Sequence, residues 1–138
     1  MFPKIIMVVL ISTSLLGFHP QRIESEPPQI TVEQYVQQIF GTKAKVALAV
    51  FKHESNLNVT EVNYNCRYNG KSTFCKKKDI QKAWSVDCGA FQIDVKGKVC
   101  PKELLTIDGS IPYVKKIYKE QGLNAWISYK RGYYRKYL

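Results

Sequence analysis

Residues 42–58 read TKAKVALAVFKHESNLN and set an apolar helix face directly beside a carboxyl group. The apolar side chains recur at helical spacing, at Val46, Ala47, Val50 and Phe51. Thr42 precedes them and is predicted to cap the helix, which we expect to end near Glu54. The segment therefore predicts a buried helix with one acidic group at the edge of the core.

Further helices are predicted on both sides of this segment. Thr31 and Gln34 form a capping box at the start of an amphipathic run that ends at Gly41. Three more helices are indicated nearer the carboxyl terminus: one opened by Pro101, one at residues 110–121 followed by Gly122, and one at residues 125–129. Most of the domain is therefore expected to be helical.

The middle of the chain has a different composition. Residues 56–82 are rich in Asn, Gly, Ser, Thr and Lys, which predicts irregular chain or a small β-hairpin. Residues 87–95 have a central glycine followed by apolar side chains, which predicts a turn leading into a short buried segment. The fold class predicted from these patterns is mainly α, of the α+β type: a small helical domain with a short irregular or β-hairpin lobe.

The chain contains four cysteines, Cys66, Cys75, Cys88 and Cys100. An even number in a small exported domain indicates two disulfides, for which three pairings are possible. We favour pairing between sequence neighbours, Cys66 with Cys75 and Cys88 with Cys100. A four-thiolate zinc site is the alternative, although such sites usually have ligands two to four residues apart.

The amino terminus resembles an export signal. Residues 1–18 combine Lys4 with an apolar run, which is typical of a signal peptide or a short anchor, with a buried first helix as a third reading. Fourteen helical residues rise about 21 Å, less than the roughly 30 Å apolar thickness of a bilayer. Residues 19–30 contain three prolines and predict a linker, so the domain is expected at residues 31–138, in the periplasm, the cell envelope or outside the cell.

The composition excludes some classes of protein. Hydrophobic residues make up 45% and charged residues 23%, which disagrees with a wholly disordered chain and with a multi-span membrane protein. A formal net charge of +10 favours polyanionic partners such as a cell wall, acidic lipid or nucleic acid. Nothing besides charge indicates nucleic acid, so we expect no specific nucleic-acid partner. We also expect a monomer that needs no metal or other cofactor.

Two motifs carry the chemistry. Glu54 stands beside an apolar helix face, where an ionised carboxyl group is disfavoured, and this suits a general acid for glycosidic cleavage. Residues 85–93 read SVDCGAFQI, in which Gly89 permits close backbone approach and the polar side chains of Asp87 and Gln92 flank an apolar residue.

These motifs, together with Ala125-Trp126-x-x-Tyr129, resemble the lysozyme-like superfamily, and most closely its soluble lytic transglycosylase family. The shared pattern is Glu-Ser at a helix end, then Gly-x-x-Gln-Ile, then a helix, a glycine and the Ala-Trp-x-x-Tyr segment. The resemblance covers residues 31–138. It implies a lysozyme-like fold and cleavage of the MurNAc-β-1,4-GlcNAc bond in peptidoglycan, whose glycan strands would be the partner.

The resemblance also implies roles for single residues. Glu54 matches the catalytic glutamate, which protonates the glycosidic oxygen and then acts as base while a 1,6-anhydromuramyl end forms. Ser55 matches the serine that orients this glutamate, and Gln92 matches a glutamine near the glycan. Tyr129 matches a tyrosine close to the glutamate. An envelope-spanning secretion or conjugation apparatus is a further candidate partner, beside general wall remodelling and phage lysis.

Alternatives to this interpretation rest on three positions. Asp87 resembles the second carboxylate of c-type lysozymes, which would make the protein a hydrolase, while aspartate beside glycine also suits a turn. Lys130 and Asp94 stand where many transglycosylases carry asparagine. The change at Lys130 leaves open a glycan-binding module that has lost catalysis.

Overall fold

The computed structural model describes residues 29–138. The predicted signal or anchor at residues 1–18 and most of the predicted linker at residues 19–30 lie outside these described residues. Within residues 29–138, no helix combines the length and the apolar character needed to cross a bilayer.

Four α-helices are present in the described part of the chain: α1 (Val32–Phe40), α2 (Ala44–Ser55), α3 (Ile107–Gln121) and α4 (Ile127–Lys130). The predicted capping box is confirmed, because the Thr31 side chain accepts from the Gln34 amide and the Gln34 side chain accepts from the Thr31 amide. Short 3-10 helices precede α2 and α4 and follow α4, and the segment after Pro101 is also a 3-10 helix rather than an α-helix.

The predicted cap of α2 is wrong. Thr42 lies inside a 3-10 turn, Gly41–Lys43, and no side chain caps the helix that follows. Packing sets this boundary instead, since Ala44, the first residue of the helix, is already buried. The helix ends at Ser55, one residue beyond Glu54, and Asn56 adopts the left-handed conformation that terminates it.

The second lobe is a four-stranded antiparallel sheet, in the order β2-β1-β3-β4. Its strands are β1 (Val62–Tyr68), β2 (Lys71–Phe74), β3 (Ser85–Cys88) and β4 (Ile93–Lys96). The α+β class is thus confirmed, but the lobe is a regular sheet rather than an irregular segment or a single hairpin. Apolar and polar residues alternate through β1 (VNYNCRY), so the sequence contains a strand signal there, whereas the other three strands have only four residues each.

The sheet has one polar and one apolar face. Pairing places Asn63, Asp87 and Asp94 in one row across β1, β3 and β4, so their side chains share a face. The alternate residues Val86 and Cys88 are fully buried in the hydrophobic core. The polar face of the sheet therefore remains available to form a wall of a cleft.

An aromatic cluster joins the two lobes. The Phe51 ring packs edge-on at 5.0 Å from both Phe91, in the β3–β4 turn, and Trp126, just before α4. The Trp126 indole nitrogen also donates a hydrogen bond of 2.7 Å to the Phe91 carbonyl oxygen. Because Glu54 lies almost one helical turn after Phe51, this packing fixes where the acid emerges from the core.

Two disulfides are formed, Cys66–Cys75 and Cys88–Cys100, which confirms the predicted pairing and excludes the zinc alternative. The first joins β1 to the residue after β2. The second joins the end of β3 to the chain just before the 3-10 helix that follows Pro101. Two disulfides in a small domain are typical of exported proteins.

Candidate functional site

Glu54 opens into a cleft of about 450 Å³ between the helices and the polar face of the sheet, here called the central cleft. Helices and sheet both contribute to its walls: Glu54, Asp87, Gln92, Ile93, Asp94, Ile117, Gln121, Ala125, Trp126 and Ile127. A second and larger groove, of about 1000 Å³, shares Glu54, Asp87 and Ile127 with it and continues along the β1–β2 hairpin. We call this one the hairpin groove.

The Glu54 side chain is held by the backbone. Its Oε1 atom accepts a hydrogen bond of 3.0 Å from the Ser128 amide, in the first turn of α4. A backbone donor at this position fixes the orientation of the carboxyl group. The other oxygen, Oε2, is then the atom available to a ligand in the cleft.

Ser55 supports Glu54 indirectly. Its hydroxyl is buried and donates to the Ala90 carbonyl oxygen at 2.6 Å, with the Phe51 carbonyl 3.2 Å away. It therefore fastens the end of α2 to the β3–β4 turn and is not bonded to the glutamate carboxyl group.

Gln92 lines the central cleft, and it also closes the β3–β4 turn. Its side-chain nitrogen donates to the Gly89 carbonyl at 2.9 Å, and its side-chain oxygen accepts from Asn63 at 2.8 Å. These bonds hold Gln92 at a positive φ of 48°. Gly89 is tightly approached, since a Cβ there would clash with the Leu104 carbonyl oxygen.

Asp87 is a strand residue, so its predicted turn-forming role is wrong. It lies within β3 opposite Asp94, and it lines both the central cleft and the hairpin groove with Glu54. Burial raises the pKa of Asp87 to about 6 from its ordinary value of 3.8. The nearby Asn65 amide lowers this pKa, whereas the charges of Asp94 and Glu54 raise it further.

Tyr129 packs against a neighbouring aromatic ring. Its ring stacks on Tyr134 with centroids 5.3 Å apart, and it lines neither the central cleft nor the hairpin groove. Its helix instead presents the Ser128 amide to Glu54 and the Ile127 side chain to both cavities. Sequence reasoning missed Ser128, because a backbone donor has no signature in residue type.

Other residues of the site were also missed. Asn63 supports Gln92, and Asn65 lies beside Asp87 on the polar face of the sheet. Alternating asparagines in the segment 63–65 are the available signal, but the composition of residues 56–82 predicts irregular chain as readily as a β-hairpin. Among residues 29–138, no group of three or more His, Cys, Asp or Glu side chains is arranged to hold a metal ion.

Comparison of the chain with protein-family models, curated proteins and solved structures gave no match. A fixed carboxylate with one accessible oxygen can deliver and remove a proton, and a second carboxyl group with a raised pKa lies in the same cavities. This arrangement suits acid–base cleavage of a polar polymer that lies along the two cavities.

Proposed function

We propose that this protein is an exported peptidoglycan lytic transglycosylase with a lysozyme-like fold. The observation that carries the proposal is the position of Glu54, whose carboxyl group emerges from an aromatic core into a cleft and is held there by the Ser128 amide. The motif resemblance supplies the substrate, the glycan strand of peptidoglycan.

In the proposed reaction, Glu54 donates a proton to the oxygen between MurNAc and GlcNAc as the bond to the muramyl C1 breaks. The carboxylate then removes the proton of the muramyl C6 hydroxyl, whose oxygen bonds to C1. The product is a 1,6-anhydromuramyl end, no water is consumed, and Glu54 is protonated again. One carboxyl group therefore suffices, and no metal or other cofactor enters the reaction.

The shape of the site supports a polymeric substrate. The central cleft and the hairpin groove meet at Glu54 and Asp87, so a linear strand that occupies both has a bond beside the acid. Proteins that act inside wall-spanning secretion or conjugation machines need this same activity, and such an apparatus remains our candidate partner. The two disulfides support action in the periplasm, the cell envelope or the extracellular space.

A second candidate is a muramidase that hydrolyses the same bond. It is favoured by one observation: Asp87 shares both cavities with Glu54, as a second carboxyl group would in a glycoside hydrolase. With a pKa of about 6, Asp87 is mostly ionised at pH 7 and could act as nucleophile or base. The resemblance to three transglycosylase motifs leads us to rank this candidate second.

The test is digestion of purified peptidoglycan by the disulfide-bonded protein, with mass spectrometry of the released fragments. We expect 1,6-anhydro ends, and a rate lowered roughly 10²- to 10⁴-fold by Glu54→Gln, because that change removes the proton donor. Glu120→Gln, an exposed change on α3, is the matched control and should leave the rate unchanged.

Other outcomes distinguish the candidates. Reducing ends that are lost in both Glu54→Gln and Asp87→Asn would establish the hydrolase instead. Retained wall binding without any released fragment would indicate a glycan-binding module without activity.

A further inference from the structure

The hairpin groove differs from the central cleft in the character of its walls. One wall comes from the β1–β2 hairpin and the other from α4 and the segment after it. Besides the three shared residues, the groove is lined by Asn65, Tyr68, Lys71, Ser72, Thr73, Phe74, Arg131 and Tyr133. It therefore has cationic side chains beside aromatic ones, whereas no cationic side chain of residues 29–138 lines the central cleft.

Apolar side chains are left uncovered in this groove. The exposed fractions are 58% for Phe74, 53% for Ile127 and 47% for Tyr133, and the three side chains belong to opposing walls. Large apolar side chains at this exposure usually mark a binding surface when they line one groove. Aromatic rings with one open face suit the apolar faces of sugar rings and peptide methyl groups.

The cations of the groove are also unneutralised. Lys71 extends from the hairpin and Arg131 from the chain after α4, and both are exposed. In residues 29–138 the one ion pair is Lys82 with Asp79, so no carboxylate pairs with either cation. The Arg131 guanidinium donates to the Tyr133 hydroxyl, at 3.4 Å.

Charge is therefore distributed unevenly on the two sides of Glu54. The charged residues of the central cleft are Glu54, Asp87 and Asp94, all acidic. The hairpin groove shares Glu54 and Asp87 with the central cleft but adds Lys71 and Arg131, so within the described part of the chain a carboxylate on the substrate meets cations only in the hairpin groove. A strand that carries anionic substituents is thus favoured with those substituents on the hairpin side.

We propose that the hairpin groove binds the carboxylate-bearing stem peptide of the muramyl residue through Lys71 and Arg131, so that the enzyme selects peptide-substituted strands over strands without anionic peptides. This inference rests on the proposed function, because it names the substituent that the same site recognises. Phe74 and Tyr133 provide the apolar contacts beside the two cations.

The experiment compares two substrates: soluble peptidoglycan fragments, and the same fragments after their peptide carboxylates have been converted to amides. We expect KM to rise roughly three- to tenfold on amidation with kcat little changed, as exposed charge-assisted contacts allow. A Lys71→Gln, Arg131→Gln double variant should show the higher KM on both substrates. The matched control is Lys115→Gln, Lys119→Gln, which removes the same charge from exposed positions on α3.

The outcomes separate the two proposals. Equal KM values for both substrates, with fragments still released, would overturn the peptide selection and leave the proposed activity intact. An equal rise of KM in the control variant would attribute the effect to net charge and would also overturn the selection. No release from either substrate would overturn the proposed function and this inference together.

Discussion

Asp87 is the residue whose environment is least expected from its type. It is partly buried, it faces Asp94 across the sheet, and it shares a cavity with Glu54. Burial and the two neighbouring carboxylates oppose its ionisation, which raises its pKa to about 6. Burial of this acid at a cavity wall lowers the free energy of unfolding when the acid is ionised. Acids with pKa values shifted in this way are characteristic of functional sites.

Asp87→Asn should therefore stabilise the protein at neutral pH. The folded state keeps a proton on Asp87 between pH 3.8 and about 6 that the unfolded chain releases, so stability falls as pH rises through this window. An asparagine side chain does not ionise, so the variant avoids this loss of stability. We expect the free energy of unfolding to rise by about 1 to 2 kcal/mol at pH 7, after discounting for solvent screening.

Urea denaturation at pH 4 and pH 7 measures this difference. The gain should be much smaller at pH 4, where the folded wild-type protein is protonated at Asp87 and the unfolded chain is only partly ionised there. A gain that is equal at the two pH values would show that burial does not disfavour the charge.

The end of α2, the β3–β4 turn and α4 act as one unit around Glu54. Ser55 bonds to Ala90 in the turn, and Trp126 bonds to the next residue of the turn, Phe91. The Ser128 amide then holds the glutamate itself. Three elements that are distant in the sequence thus position one carboxyl group.

Two buried serines allow this unit to be tested. Ser55→Ala leaves the buried Ala90 carbonyl without its 2.6 Å donor, and we expect a loss of about 1 to 3 kcal/mol of stability. Ser128→Ala is the matched control, because the Ser128 hydroxyl is buried without a hydrogen-bond partner in the described residues. Its removal should be neutral or stabilising, and it leaves the amide bond to Glu54 in place.

Chemical denaturation of both variants gives the comparison, and the cleavage rate gives a second one. The rate should fall in Ser55→Ala, since the helix end that carries Glu54 loses its attachment to the turn. Equal stability of the two variants would mean that the hydroxyl of Ser55 does not fasten α2.

Local signals in the sequence predicted some of these elements and not others. The capping box at Thr31 and the stop at Gly122 depend on neighbouring residues alone, and both are present. Thr42 failed as a cap because tertiary packing of Ala44 sets the start of α2. Asp87 was assigned to a turn because a four-residue strand shows too little alternation to be distinguished from one.

The sequence predicts the acidic residue of the candidate site but not the groups that hold it in place. Glu54 and Gln92 line the central cleft, as expected from the motifs. Tyr129 does not, because α4 turns this ring toward Tyr134 instead. Contacts with distant segments decide which face of a short helix meets a cleft. The local sequence around Tyr129 does not predict those contacts.

At the level of the whole chain, charge is concentrated on the domain. Residues 1–28 contain two basic and two acidic residues, so the described residues carry the entire net charge of +10. A surface with this charge attracts polyanions from a distance. Under the proposed function, the acidic side chains of the central cleft and the added cations Lys71 and Arg131 of the hairpin groove would then orient a bound strand.

The two disulfides should contribute unequally to the stability of the molecule. They close loops of similar length, with sequence separations of 9 and 12, so each cross-link should contribute about 2.5 to 3 kcal/mol by loop entropy. Cys88 belongs to the main hydrophobic core, whereas Cys66 is buried in the sheet lobe outside it. We expect the Cys88→Ala, Cys100→Ala variant to lose about 1 kcal/mol more than the Cys66→Ala, Cys75→Ala variant, because its missing sulfur leaves a gap in the core.

Thermal unfolding followed by circular dichroism measures both losses, and each variant serves as the control for the other. In the digestion assay for the proposed function, the Cys88 variant should also lose activity at a lower temperature, since Cys88 directly follows Asp87 in β3 and precedes the turn that meets α2. A larger loss in the Cys66 variant would mean that the hairpin, and not the core side of the sheet, limits the stability of the domain. In that case the hairpin groove would be the first part of the substrate site to open on heating.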